Sequence, residues 1–121
     1  MDCIFCKIIN GDIPSKKIYE DDLFIAILDI NPQVDGHTLI IPKKHITDIK
    51  ELDNDTFLEL FNTSKKVADM LMEKLDAKAI TYAINYGDSQ AVKHLHLHLL
   101  PNYTIKEKEL DVDKVYELLT K

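Results

Sequence analysis

Apolar and polar residues alternate in short runs over the first third of the chain, take a longer period in the middle and alternate again near the end. Each change of period predicts a change of structure. Cys3-Ile4-Phe5-Cys6-Lys7-Ile8-Ile9 places Ile4, Phe5 and Ile8 on one side of a single helical turn, ended by Asn10-Gly11 and a bend at Ile13-Pro14-Ser15. Lys17 to Glu20 and Phe24 to Asp29 predict two strands joined by the acidic turn Glu20-Asp21-Asp22. A loop from Ile30 to Gly36 leads to a third strand, His37 to Ile41, stopped by Pro42. From Asp53 to about Ala77, Phe57, Phe61, Ser64, Ala68, Leu71 and Leu75 recur at spacings of four and three, which predicts a long helix with one buried stripe. Asp53 or Asp55 caps its start, and Met70 and Met72 read as packing residues. Ile80 to Tyr86 and Val92 to Leu100 predict two more strands, and the short polar turn Gly87-Asp88-Ser89-Gln90 makes them an antiparallel hairpin. Val112, Val115, Tyr116 and Leu119 predict a short amphipathic helix from Asp111 to Leu119. The sum is an α+β fold over residues 1–121: a five-stranded, mainly antiparallel sheet with one long helix and short terminal helices, all on one face.

The last predicted strand carries the candidate chemistry. In His94-Leu95-His96-Leu97-His98-Leu99-Leu100 the strand period puts three imidazoles on one face and Leu95, Leu97 and Leu99 on the other. Same-face residues lie about 6.6 Å apart at roughly 3.3 Å of rise per residue, so the imidazoles form a row about 13 Å long. Histidine can be nucleophile, proton donor or metal ligand near neutral pH, and its neighbours decide which.

Composition narrows the partners. The chain has 121 residues, enough for one compact domain. A formal charge of −6 and a pI near 5.3 argue against general affinity for nucleic acid or anionic membranes. All 15 basic residues are lysine, so no guanidinium clamp exists for a polyphosphate. A bound phosphate must be held by backbone amides, imidazoles, side-chain amides or lysine. The start of the chain shows no basic segment followed by an apolar run, and no stretch has bilayer-spanning length, so a cytoplasmic protein is expected. In that compartment the Cys3-x-x-Cys6 pair reads as a metal or redox site rather than a structural disulfide, though two buried free thiols fit as well. A zinc site needs four ligands, and no second cysteine pair exists.

The triad itself, His-apolar-His-apolar-His-apolar-apolar, resembles the signature of the histidine triad (HIT) family of nucleotide hydrolases and transferases. Cys3 to Ile9, Ile27 to Pro32, Gly36 to His45 and Asn85-Tyr86-Gly87 are similar to further stretches of that family and occur in its order. The nearest branch looks like the histidine triad nucleotide-binding proteins. The resemblance implies a homodimer whose sheet continues across the interface. It also implies nucleotidyl transfer to water, with cleavage of a nucleoside phosphoramidate or related ester at the α-phosphate and release of AMP. His96 is then the nucleophile that forms a nucleotidyl-histidine, a role suited to imidazole because it attacks and leaves near pH 7. Its other ring nitrogen needs an acceptor to fix the tautomer, and the motif offers backbone carbonyls.

By the same resemblance His98 contacts the phosphoryl oxygens, with Asn85, Gln90 and the backbone amide of Ser89 as further phosphate contacts. His37 buttresses the row, or is a satisfied buried histidine. Asp29 accepts from both ribose hydroxyls, or caps the turn before Asn31-Pro32. Ile4, Phe5, Ile8, Ile27 and Ile30 form a slot for the base, with purine preference at most, or belong to the core. In some branches a structural zinc takes Cys3, Cys6, His45 and the first triad histidine, His94, leaving His96 and His98 for chemistry; no catalytic metal is implied. The chain departs from the family at Ala91, where a serine or threonine usually helps to protonate the leaving group. Dinucleoside polyphosphates and acyl adenylates, whose leaving groups need less protonation, therefore gain weight. It also lacks the Trp-containing C-terminal segment of some relatives. Two other classes fit the motif: a hydrolase with His94 and His96 on a catalytic zinc, and a nucleotide-binding adaptor or sensor with little turnover.

Overall fold

The computed structural model describes residues 3–103 and 110–121. Their elements are α1 (Ile4–Ile9), β1 (Lys17–Glu20), β2 (Phe24–Leu28), β3 (Thr38–Pro42), a 3₁₀ turn (Ile49–Glu51), α2 (Asn54–Leu75), β4 (Ala79–Ile84), β5 (Leu97–Asn102) and α3 (Val112–Leu119). The strands form one antiparallel five-stranded sheet in the order β1-β2-β3-β5-β4. No helix among the described residues is long and apolar enough to cross a membrane.

Alternation on β2, β3 and β5 divides the core in two. Phe24, Ala26, Leu28, Ile40, Leu97 and Leu99 face α2 and α3, where Leu60, Val67, Leu71, Val115 and Leu119 meet them. Ile25, Ile27, Leu39 and Ile41 face the other way and bury Cys3 and Phe5 of the α1 segment. The helices therefore lie on both faces, not on one as the sequence predicts: α1 needs a cover for its apolar side, and the second face of the central strands supplies it.

Asp53 caps α2 by accepting the Thr56 N–H at 2.7 Å, and the helix ends at Asp76 in the left-handed region. Its buried stripe is Leu60, Thr63, Ser64, Val67, Ala68, Leu71 and Leu75, whereas Phe57 is 43 % exposed. The predicted stripe thus starts on the wrong side of the first turn. Phe57, Phe61 and Tyr82 instead form an aromatic ladder beside the outer strand β4, with ring centroids 5.2 and 6.0 Å apart.

The β4–β5 hairpin differs most from expectation. Ile84 pairs with Leu97, so residues 85–96 form a long connection rather than a four-residue turn, and β5 begins at Leu97 rather than Val92. His94 and His96 precede the ladder, and only His98 lies in it, opposite Leu39 and Ala83. The β2–β3 loop is closed by Asp29 N–H donating to the His37 carbonyl at 2.9 Å. Gly36 makes this closure possible: its φ is +86°, and a Cβ there would sit 2.5 Å from Leu75 Cδ1.

Candidate active site

His94 is buried with both ring nitrogens engaged. Its Nε2–H donates to the Pro42 carbonyl at 2.8 Å, which leaves the Nδ1 lone pair facing Cys3 Sγ at 3.2 Å and Cys6 Sγ at 3.5 Å. His45 Nδ1 lies 3.2 Å from Cys6 Sγ, and the four ligand atoms of Cys3, Cys6, His45 and His94 are all within 4.8 Å of one another. Ligands about 2.0–2.3 Å from a tetrahedral zinc stand roughly 3.3–3.8 Å apart, so two thiolates and two imidazoles at these spacings fit that ion. Burial pulls the His94 pKa down, which keeps the imidazole in the neutral form that a metal requires.

The chain turns from this quartet directly into the second histidine. His96 Nδ1–H donates to the His94 carbonyl at 2.8 Å, fixing the tautomer that leaves Nε2 as the free lone pair. Phe5 holds the ring edge-on, centroids 5.0 Å apart, and packs on His94 as well at 5.9 Å. The two rings therefore do not converge on a shared catalytic metal, because His94 points to the thiols and His96 Nδ1 is spent on a carbonyl.

His98 is set by a chain of donors. The Gln33 backbone N–H donates to His37 Nδ1 at 3.2 Å, so neutral His37 carries its proton on Nε2 and donates to His98 Nδ1 at 2.9 Å. His98 must then carry its own proton on Nε2, and that atom is buried with no partner. Leu39 and Ala83 flank His98 on the sheet, and burial is the main reason its pKa falls to about 4, with His96 and His37 adding to the effect. His37 is lowered as well, by burial first. Asp29 Oδ2 lies 3.7 Å from His37 Nε2, and its Oδ1 accepts the Asn31 N–H at 2.9 Å. Asp29, His37 and His98 are close enough to suggest a second metal site, yet a His37 Nε2 that carries a proton cannot ligate.

His96, His98 and Asp29 open on a cleft of about 420 Å³ whose remaining walls are largely aliphatic. The slot expected from sequence is there: Ile4, Phe5 and Ile8 from α1, Ile27 from β2 and Ile30 from the following loop. Ala91, noted from sequence for the hydroxyl it lacks, lines it too, and Ile13, Ser15, Leu39 and Val92 also line it and were not singled out as site residues from sequence. Leu39 carried a readable signal, since it shares its face with Ile41 by the strand period; Ser15 carried none. His37 sits behind His98 rather than in the wall. Asn85, Ser89 and Gln90 do not reach the wall either. Gln90 is buried and gives its side-chain amide to the Thr47 carbonyl, which ties the 85–96 connection to the segment after β3, and Ser89 is exposed on the outer turn of that connection.

Residues 10–105 match the HIT domain. The chain belongs to the HIT family. An uncharacterized HIT-like protein of Methanocaldococcus jannaschii is 44 % identical over 103 residues, covering 84 % of this chain and 79 % of that one. The crystal structure of a zinc-bound histidine triad family protein from Mycobacterium smegmatis superposes with a TM-score of 0.91 at 36 % identity, over 99 % of this chain and 91 % of that one. Adenylylsulfatase HINT3 of Arabidopsis thaliana is 34 % identical over 102 residues, 83 % of this chain and 52 % of its own length. The HIT assignment places the chain in a family of hydrolases that bind nucleotides, and the Cys/His quartet is compatible with zinc.

Proposed function

We propose that this HIT protein is a nucleotide hydrolase that cleaves at the α-phosphate of nucleoside phosphoramidates or related nucleotide esters and releases AMP through a nucleotidyl-His96 intermediate. The observation that carries the reading is the opposed pair of tautomers. His96 offers a lone pair at Nε2 because Nδ1–H is tied to the His94 carbonyl, and His98 offers an N–H at Nε2 because Nδ1 accepts from His37. A nucleophile beside a neutral donor without a partner suits attack on phosphorus with charge growing on its oxygens. In the first step His96 Nε2 bonds to the α-phosphorus as the bond to the leaving group breaks; in the second, water attacks the same phosphorus and the imidazole leaves. His98 Nε2–H donates to a non-bridging oxygen in both. Asp29 takes the ribose hydroxyls and the aliphatic walls take the base, which favours a purine by area alone. Zinc, when bound by Cys3, Cys6, His45 and His94, supplies a structural cross-link between α1 and the triad segment.

Ala91 favours leaving groups that depart without a proton. The polar side chains lining the cleft are Ser15, Asp29, Asn31, His96 and His98, and no hydroxyl stands at position 91. Mixed anhydrides of AMP with sulfate, a carboxylic acid or phosphate fit that inventory, and the adenylylsulfatase relative is consistent with it. A second copy of the chain is expected on the outer strand β4, where Tyr82, stacked on Phe61, is 39 % exposed and Tyr86, just past the strand, is 56 % exposed.

The test is AMP release from adenosine phosphoramidate, adenylyl sulfate and diadenosine polyphosphate by wild type and His96→Ala, with the wild-type protein quenched at neutral pH for intact mass. Turnover lost in the variant and AMP retained covalently on the wild type support the mechanism. A variant as active as the wild type, or no turnover of any of the three, sinks it.

A further inference from the structure

The helix that walls the cleft is held by sulfur. α1 spans six residues, too few to stay helical without tertiary ties. One tie is Phe5, buried against Ile25, Ile27, Leu39 and Ile41; the other is the contact of Cys3 and Cys6 with His94 and His45. The same six residues give the cleft Ile4, Phe5 and Ile8, and Phe5 also props the His96 ring. What happens to the two sulfurs is therefore transmitted to the nucleotide cleft through a single turn of helix.

The sulfurs are also placed to react with each other. Both cysteines are free, their Sγ atoms lie within 4.8 Å, and the Cys6 N–H donates to Cys3 Sγ at 3.3 Å, so both sulfurs project from the same side of the first turn. A Cys-x-x-Cys pair can close a disulfide within one helical turn. Cys3 is 6 % exposed and Cys6 is half-buried, so an oxidant reaches Cys6 first.

We propose that Cys3 and Cys6 are an oxidation site whose disulfide removes two of the four metal ligands, frees α1 and thereby weakens nucleotide binding, reversibly. The inference rests on the nucleotide reading of the cleft. The oxidant is a hydroperoxide. The Cys6 thiolate attacks one peroxide oxygen, an S–O bond forms as the O–O bond breaks, and the departing hydroxide takes a proton from solvent to leave as water. The Cys3 thiolate then attacks the Cys6 sulfur, the S–S bond forms as the S–O bond breaks, and the hydroxide released takes a second solvent proton. Two thiolates lose two electrons to one hydrogen peroxide, which with two protons from solvent becomes two waters. His45 and His94 remain, and two imidazoles do not hold a tetrahedral zinc against a chelator.

The experiment uses the full chain loaded with zinc and titrated with hydrogen peroxide. Four quantities are followed: zinc passing to a chromophoric chelator, intact mass with peptide mapping, AMP affinity by calorimetry, and tryptic cleavage after Lys7 within α1. The expected result is zinc release in step with a mass loss of about 2 Da mapped to Cys3–Cys6. AMP affinity should fall by about tenfold, because the wall is no longer pre-organised, and return with dithiothreitol and zinc. A disulfide that forms with AMP affinity and Lys7 cleavage both unchanged overturns the proposal, as does oxidation of the two sulfurs separately to sulfinic acids. If the reduced protein binds no AMP, the nucleotide reading fails; Lys7 cleavage then decides the coupling of sulfur to α1, faster after oxidation in support and unchanged against. Because the reduced and oxidised wild type are compared, no substitution that could impair folding is needed.

Discussion

Replacing His37 by alanine separates a positioning role from a merely buried one. His37 does not line the cleft; it acts by donating Nε2–H to His98 Nδ1 at 2.9 Å. A hydrogen bond between neutral groups contributes about 0.5–1.5 kcal/mol net. If that is the energy by which His98 is kept in its Nε2–H tautomer, its loss corresponds to roughly a twofold to tenfold fall in turnover, at about 1.4 kcal/mol per factor of ten. In the proposed mechanism, removing the His98 donor outright, as in His98→Ala, takes away a transition-state donor and costs about 10²–10³-fold. The two variants should therefore differ by at least an order of magnitude, with His37→Ala lowering kcat and leaving KM nearly unchanged because the aliphatic walls and the Asn31 hydrogen bond that orients Asp29 stay in place. His37→Gln, which can return an N–H donor, should recover part of the loss. His37→Ala also leaves the Gln33 N–H and His98 Nδ1 without their partner, at about 1–3 kcal/mol for each group that water does not reach, so rates belong well below the midpoint of thermal unfolding. Steady-state AMP release across substrate concentration reads both parameters. A His37→Ala enzyme with kcat within twofold of wild type, beside a His98→Ala enzyme that is nearly dead, refutes the donor chain.

Three further outcomes follow from the geometry. Asp29→Ala should cost about tenfold in affinity for AMP and much less for 2′-deoxy-AMP, measured by calorimetry, since one carboxylate oxygen already accepts the Asn31 N–H and the other faces the cleft side of His37. Gly36→Ala forces a non-glycine residue to φ +86° with its Cβ 2.5 Å from Leu75 Cδ1; strain and overpacking of about 1–3 kcal/mol each should appear as a lowered urea midpoint at unchanged m value. Lowering the pH should destabilise the metal-free fold before its carboxylates titrate. His98, with its pKa at about 4 in the fold and 6.5 as the ordinary value, binds a proton more readily unfolded than folded. Stability is therefore full above pH 6.5 and is lost between there and about 4, with the lowered His37 and His94 acting in the same direction. A thermal midpoint that stays flat from pH 7 to 5 contradicts this.

The strands and the cleft face were legible because burial follows the strand period, and Ile25, Ile27, Leu39 and Ile41 kept that period without exception. The start of β5 was not, since the sequence alternates from Val92 onward although the chain bends through Ala91 to His94 and joins the ladder only at Leu97; periodicity registers residue type, not hydrogen bonds. The α2 stripe drifted for a related reason: Phe57 is apolar and correctly spaced, yet it is exposed and meets the core only through Phe61, and an apolar residue facing an outer surface has the same letter as one facing the core. Half of the Cys/His quartet, Cys3-x-x-Cys6, was readable from its spacing; His45 and His94 were readable as its completion only through the family resemblance, because no local spacing joins positions 45 and 94 to the pair. The placement of Gln90 depended on the length of the 85–96 connection, which its turn residues disguised as a tight hairpin.

The histidine row crosses the end of the β-ladder, and this divides it between two cooperative units of the fold. His98 opens only when β5 parts from β3 and β4, an event near the free energy of global unfolding. His94 and His96 are held by the Leu95 N–H on the Ile46 carbonyl at 2.7 Å, by His94 on Pro42 and by His96 on the His94 carbonyl. Loss of those few bonds releases His96 while His98 stays locked in the sheet. Amide exchange should draw that border between residues 96 and 97.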